Sequence, residues 1–563
     1  MQHLARWEVS AVTVILLAAV GLRFWNLARV PDGLMPDEAG NVYDAWSILK
    51  TGADRWGHRH PVFLEGFGRS DYRPALYAYL TIPFVALWGP DRLDVAARCP
   101  AALAGVLTIV GLYGLVRRVS GTWAALAAAT ALTLCPWHLF VSRFGHEASL
   151  TPLFAVLILL AIERFFSTMV SPESRRGIVA DGVLLGLVVG VSLYTYASMK
   201  LFVPLLLLGI LMVWRRELSR GFTDRRVNRA MVLAVASCVL VALPMIWSTV
   251  TEWDKINARA QQQSLFHQGR PVVDVIARCA VNWVDHFSPR WLFFKGSDFA
   301  FFNTLGVGQL NWYLSVLGLL GLVRIYHTHR VQPFHVVLLL WLLVHPVASA
   351  VTVGSPHVLR AACGIGAFAW LGGLGAVELI ERAARTVTVR RAVIAVVGAV
   401  VAVNATWSLR RYFDTYGHNR LMAELYQADL RDALLSIRNR WYRYDRLFVS
   451  DHRSTARRWL IDQPYIHVLT FLAIEPSVFQ DWDKEIIPAA DDAFETIRRM
   501  GIITMSTRPE VLKAYFDRHP GGRVLVVARP GDIRGGHRIS VIDKPYDEVR
   551  FEVVEVGPPQ RGM

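Results

Sequence analysis

"VPDGLMPDEAGNVYDAW", residues 30–46, follows directly on an apolar run, residues 9–27, that is long enough to cross a bilayer. The acids Asp32, Asp37, Glu38 and Asp44 therefore stand where the chain leaves lipid, two of them adjacent and behind Pro36. The plain reading is a solvated loop whose acids are balanced by Arg29, Lys50, Arg55 and Arg59. Against it, the pair follows the span at once and is stiffened by Pro31 and Pro36. A carboxylate held at the lipid boundary is partly desolvated, which raises its basicity toward that of a general base. Ionisable groups at membrane depth are functional by default.

The rest of the chain fits this setting. It has 563 residues, 53% of them apolar, and its mean hydropathy is +0.34. Many of its 19 Trp lie near segment ends, as rings anchored at the lipid–water interface do. Apolar runs at 9–27, 95–116, 122–140, 150–166, 178–193, 198–214, 230–247, 310–326, 334–353, 358–380 and 392–409 give about eleven spans. A further run, 74–88, is short, carries two prolines and is rich in aromatics. If it does not cross, the basic clusters fall on one side. These are Arg117/Arg118, Arg164/Arg175/Arg176, Arg215 to Arg229, Arg324/Arg330 and Arg382 to Arg391. The run 74–88 is therefore read as a helix lying in the interface, with the N-terminus cytoplasmic and the C-terminus outside. No small-residue cleavage site follows the first run, which reads as a retained anchor.

The net charge of +15 comes from these clusters between apolar runs, so nucleic acid is excluded as a partner. The five Cys are scattered without metal-ligand spacing, and neither a disulfide framework nor a structural zinc site is expected. From residue 410 onward the chain turns charged, with strand-length apolar runs at 446–450, 523–528 and 550–556 and a helical pattern at 421–438. The expected fold is a polytopic α-helical membrane domain, residues 1–409, followed by an extracytoplasmic α/β domain, residues 410–563.

This orientation collects the unusual residues in the outer loops 28–94, 141–149, 194–200, 248–309 and 354–360. His146 and Glu147 supply a second acid, either complementing the helix that Glu147 begins or sharing a pocket with Asp37. Asp37, His146 and Glu147 together would suit a divalent metal ion. Arg360 and His357 open a helix, where free N–H groups favour an anion. Lys200 begins another, close to Tyr194 and Tyr196; Tyr72 and Arg73 precede the interfacial helix, Arg98 opens the second span, and Arg143 neighbours the His–Glu pair. Each cation alone reads as a snorkelling anchor. Their abundance outside breaks the orientation rule and points to a lipid phosphate, handled by Arg360, His357, Lys200, Arg73, Arg98 and Arg143. Carboxylates facing cations suit transfer of a phospholipid-linked head group to a hydroxyl. The carboxylate takes the proton while the cations neutralise the departing phosphate.

The run "LRFWNL…PDGLMPDEAGNVYDAWSILKTG", followed by "RPALYAYLTIPFVALWG" and "DVAARCPAALAGVLT", resembles the polyprenyl-phosphate-dependent glycosyltransferases of the GT-C fold. It is most similar to family 39, the protein O-mannosyltransferase and aminoarabinose transferase group. The similarity continues through "CPWHLFVSRFGHEAS", "LYTYASMKLFVP" and "PHVLRAA", and the C-terminal "RYDRLFVSD…YIHVLTFLAIEP" is similar to the outer domains of bacterial members. The resemblance implies a multi-pass protein of a bacterial plasma membrane. It implies Asp37 as catalytic base, Glu38 in support, and Glu147 as the acid of the second outer loop. It also implies a polyprenyl-phosphate sugar donor, a hydroxyl acceptor on protein, glycolipid or glycan, and inversion at the anomeric carbon. The loop 248–309 is too short for the central insertion of the eukaryotic mannosyltransferases. The competing reading is a transporter or flippase of polyprenyl-linked or anionic substrates, which would carry charges or broken helices at mid-membrane. Here the polar residues gather at one face instead.

Overall fold

The computed structural model describes residues 5–68, 71–170, 177–221, 223–299, 302–303, 306–328, 332–383, 386–451, 463–488, 494–533, 535–542 and 550–557. Of the expected inner-loop cations, Arg175, Arg176, Arg330 and Arg385 lie outside them. Among the described residues, 7 helices are long and apolar enough to cross a membrane. They are Arg6–Phe24 (α1), Pro90–Ser120, Glu147–Val170, Arg225–Thr251, Pro333–Ala350, Ala362–Ala383 and Val387–Tyr416. The other expected spans form shorter apolar helices, Thr122–Thr133, Ile178–Ser192, Met199–Val213 and Tyr313–His327. Proline accounts for one shortening. The run 122–140 stops at Thr133 and restarts as Pro136–Val141, because Pro136 cannot continue the helix before it but suits the first position of a new one.

By internal contacts the chain divides into two units. The first comprises Met1–Trp25, Ala101–Trp253 and Arg259–Tyr412 and holds most of the apolar helices. Its helices pack through small residues. Gly182, Gly186 and Gly190 form one row of Ile178–Ser192 against Arg225–Thr251, and a Cβ on Gly186 would fall 2.0 Å from the Ala234 carbonyl oxygen. The expected outer loop 248–309 is largely helical, containing Trp253–Gln263, Val272–Asp285 and a π-turn at Arg290–Phe294. In Val272–Asp285, Val275 and Asn282 are buried while Val272, Val273 and Ile276 are exposed. Only one flank of that helix packs.

The second unit comprises Asn26–Pro100, Asp254–Ala258 and Phe413–Met563. The change of unit at Tyr412 lies close to the composition change at 410, but residues 26–100 are grouped with the C-terminal part. The acidic stretch is not a loop. Pro36–Thr51 is a helix, α2, with Pro36 at its first position and Gly52 ending it at φ 72°. A hairpin of β1 (Phe63–Glu65) and β2 (Tyr72–Pro74) and the helix α3 (Leu76–Trp88) follow. The C-terminal strands are β3 (Arg446–Val449), β4 (Lys484–Pro488), β5 (Glu495–Met500), β6 (Ile503–Thr504), β7 (Val524–Ala528), β8 (His537–Ile542) and β9 (Phe551–Val556). They form one sheet in the order β4-β5-β6-β3-β7-β9-β8, with β3 parallel to both β6 and β7. The expected helix at 421–438 divides into Arg420–Leu425 and Ala428–Ile437 at Gln427, which is left-handed at φ 53°. One apolar core joins Ala39, Val42, Tyr43 and Trp46 of α2 and Ala78 and Val85 of α3 to Tyr465, Ile466, Leu469, Leu447, Val449 and Leu525.

Candidate active site

The site in the second unit is built on the first three turns of α2. Asp37 and Glu38 are sequence neighbours about 100° apart on the helix, so they face different surroundings. Glu38 is wholly enclosed, at 0% side-chain exposure. Arg98 grips it twice, Nε to Oε1 at 2.8 Å and Nη2 to Oε2 at 3.0 Å, and the Met35 N–H donates to Oε2 at 3.0 Å. Arg98 also donates to the carbonyls of Leu27, Pro31 and Gly33 at 2.7–2.9 Å. All five guanidinium N–H groups are then engaged. Arg98 thus ties the chain entering α2 to Glu38, and the expectation that it holds a donor phosphate is corrected by that saturation. Asp37, by contrast, keeps 40% of its side chain exposed.

Two residues beyond the expected set complete this cluster. Arg73 on β2 reaches across α2, Nη1 to Asp37 Oδ1 at 3.4 Å and Nη2 to Asp44 Oδ2 at 3.4 Å. Arg55 donates to Asp44 from Nη1 at 3.2 Å and from its backbone N–H at 3.2 Å. Asp44 and Arg55 are both fully buried. Burial pushes the Asp44 carboxyl upward against the pull of Arg55 and Arg73. Sequence alone treated Asp44 and Arg55 as loop charges. The available signal was the spacing, since Asp37 and Asp44 lie seven residues apart and hence on one helix face. Tyr72 donates to Glu65 Oε2 at 3.1 Å, so it braces the β1–β2 hairpin.

In the first unit, three of the segments expected outside lie together. His146 packs edge-on to Tyr196 with ring centroids 5.5 Å apart, and its Nε2 lies 3.6 Å from Glu147 Oε1. Glu147 is buried at the start of its helix. His357 accepts the N–H groups of Leu359 and Arg360 on Nδ1, at 3.2 and 3.4 Å. Burial, with Arg360 and His146 nearby, holds His357 well below the ordinary histidine pKa, so it is a neutral cap and not a phosphate-neutralising cation. Arg360 donates to Thr352 Oγ1, the Val353 carbonyl and Gln263 Oε1, each at 2.7 Å. Lys200 is exposed.

Two further expectations are corrected here. Arg143 is buried and its Nη1 donates to the carbonyls of Leu22, Arg23 and Trp25 at 2.9–3.0 Å, capping the end of α1. Tyr194 is also structural. Its hydroxyl donates to the Val241 carbonyl at 2.7 Å and accepts the Met245 N–H at 3.2 Å. Those are the two ends of the helical rung beside Pro244, and the hydroxyl fills the opened rung.

A metal fits poorly. His146 accepts the Ala148 N–H on Nδ1 at 3.1 Å, so its proton sits on Nε2, directed toward Glu147 and offering no lone pair. Among the described residues no group of three or more His, Cys, Asp or Glu is arranged to hold a metal ion.

Residues 72–248 match the family described as dolichyl-phosphate-mannose-protein mannosyltransferase. That stretch includes Arg73, Arg98, His146, Glu147 and Lys200 and stops short of Asp37, His357 and Arg360. No curated protein matches the chain. Among solved structures, ArnT from Cupriavidus metallidurans bound to undecaprenyl phosphate is similar at 15% identity and TM-score 0.53, over 98% of this chain and 99% of that one. ArnT in the apo state gives 13% identity and TM-score 0.52 over the same shares. The archaeal oligosaccharyltransferase AglB from Archaeoglobus fulgidus, in complex with an inhibitory peptide and a dolichol-phosphate, gives 15% and 0.51, over 93% of this chain and 69% of that one. With that fold along nearly its whole length and the mannosyltransferase-family match at residues 72–248, the chain is a multi-pass membrane protein of the GT-C fold.

Proposed function

We propose that this GT-C-fold protein is a glycosyltransferase that moves a sugar from a polyprenyl-phosphate donor to a hydroxyl acceptor on the extracytoplasmic side, with Asp37 as general base. The acceptor oxygen attacks the anomeric carbon from the face opposite the phosphate. The glycosyl C–O bond breaks with inversion, the polyprenyl phosphate leaves, and the acceptor proton passes to Asp37. The observation that carries this reading is the contrast between neighbours: Asp37 is half-exposed with one arginine beside it, while Glu38 is enclosed and doubly held by Arg98. Glu38 then supports the base without touching substrate. Arg73, which touches Asp37, is the cation assigned to the departing phosphate. The solved relatives lend support, since ArnT is seen with undecaprenyl phosphate and AglB with a dolichol-phosphate. A hydroxyl of a protein, a glycolipid or a cell-wall glycan is the acceptor class.

The test uses purified protein in liposomes with a panel of undecaprenyl-phosphate sugars, following release of undecaprenyl phosphate. Asp37→Asn is expected to lower turnover by roughly a hundred- to ten-thousandfold with normal membrane insertion. Retained turnover would remove Asp37 from the reaction.

A further inference from the structure

Asp44 has no role in the transfer as described so far, although it is a fully buried carboxylate touching two arginines. Its place on α2 explains why. Seven residues separate it from Asp37, so both carboxylates project from the same strip of the helix, about two turns apart. Arg73 spans that strip with one guanidinium nitrogen on each carboxylate, both at 3.4 Å. Between them lies Gly40. A Cβ there would sit 2.7 Å from Arg73 Nη2 and 2.9 Å from Arg55 Nη1, so the missing side chain is the groove in which both guanidinium groups rest. Arg55 completes the frame. It donates to Asp44 and, from Nη2, to the carbonyls of Glu65 and Gly66 at 3.1 and 2.8 Å, pinning the end of the hairpin that carries Arg73.

We propose that Asp44, with Arg55 and Gly40, is a positioning device that fixes how closely the Arg73 charge bears on Asp37. The inference rests on Asp37 being the base. Arg73 is shared between two carboxylates, and Asp44 keeps hold of it when Asp37 takes up the acceptor proton and loses its charge. Without Asp44 the whole guanidinium charge falls to Asp37, which becomes a weaker base. The charged and titratable groups facing Asp44 are Arg55 and Asp54 from the turn after α2, Arg73 from β2, Tyr43 beside it and Tyr465 from the helix Pro464–Phe471. Asp71 bears on Arg55 from the hairpin side.

The experiment compares Asp44→Asn, Gly40→Ala and Asp37→Asn with the parent protein, using the panel donor that the parent turns over. Both positioning variants are expected to lower kcat roughly ten- to a hundredfold while KM for the donor stays within about twofold. In Asp44→Asn the acid limb of the kcat–pH profile moves to lower pH. Parent-like kcat and pH profile in folded variants overturn the proposal. Asp44→Asn leaves two buried guanidinium groups with less compensation, so it is the variant at risk of failing to fold. Gly40→Ala favours the helix and meets only movable side-chain ends, so in that event its kcat decides. If Asp37→Asn itself stays active, the proposed function fails, and this inference with it. If Asp37→Asn is dead but both positioning variants behave as the parent does, only this inference fails.

Discussion

The two groups of polar side chains, around α2 and around His146 and His357, employ their cations in different ways. On α2 each arginine answers a carboxylate: Arg98 holds Glu38, Arg55 holds Asp44, and Arg73 is divided between Asp44 and Asp37. Around His146 and His357 the same residue types turn to backbone groups as well. Arg143 collects the carbonyls that end α1, Arg360 takes the Val353 carbonyl, and His146 and His357 accept the N–H groups of the turns they open. Helix ends leave backbone groups without partners, and a buried end recruits whatever donors or acceptors lie near. Where carboxylates are plentiful, arginine pairs with them and their arrangement leaves one, Asp37, reaching solvent. A cation next to a membrane helix is therefore not evidence for a lipid phosphate until its own N–H groups have been traced.

That contrast can be broken at three points beyond the catalytic variants. Arg98→Met should cost the most, about 3–5 kcal/mol, because it strands the enclosed Glu38 carboxylate without a partner. Thermal unfolding in detergent would show it as a large fall in Tm, and an unchanged Tm would place Glu38 in the backbone-capping class instead.

Asp429 offers a pH-dependent version in the second unit. Burial pushes its carboxyl up to about 6, Asp432 and Glu424 reinforcing and Arg550 and Arg529 opposing. The folded chain then binds a proton that the unfolded chain has already lost. Stability falls as pH rises from about 4 to about 6, and the full cost persists above that window. Asp429→Asn should remove this slope and raise stability near neutral pH by up to about 3 kcal/mol. Parallel Tm–pH curves for the two proteins would count against it.

The smallest effect belongs to the first unit. Tyr194→Phe keeps the ring but returns the Val241 carbonyl and the Met245 N–H to an open rung, at about 1 kcal/mol. Hydrogen exchange at Met245 should rise in that variant while turnover changes little. A strong loss of turnover would return Tyr194 to the substrate-binding residues.

Much of the fold was legible. Hydrophobic run length marked the apolar helices, and the strands at 446–450, 523–528 and 550–556 appear as β3, β7 and β9. The grouping of Arg360, His357, His146 and Tyr196 was legible too, because topology alone places their loops on one face. The helical nature of residues 36–51 was not. Acids and prolines at its start look like a turn until the Leu34–Trp46 core is seen packing against Tyr465 and Leu469, hundreds of residues away.

By itself the sequence determined the membrane class, the apolar helices and the carboxylate pair, because each is written in local composition and spacing. Only the tertiary structure decided which carboxylate of the pair is enclosed and which is open, and which arginines already have partners. The physical reason is that burial and hydrogen bonding depend on neighbours brought in from distant parts of the chain. Arg98 lies sixty residues from Glu38, and Arg73 thirty-six from Asp37. No window of sequence contains either pair's geometry.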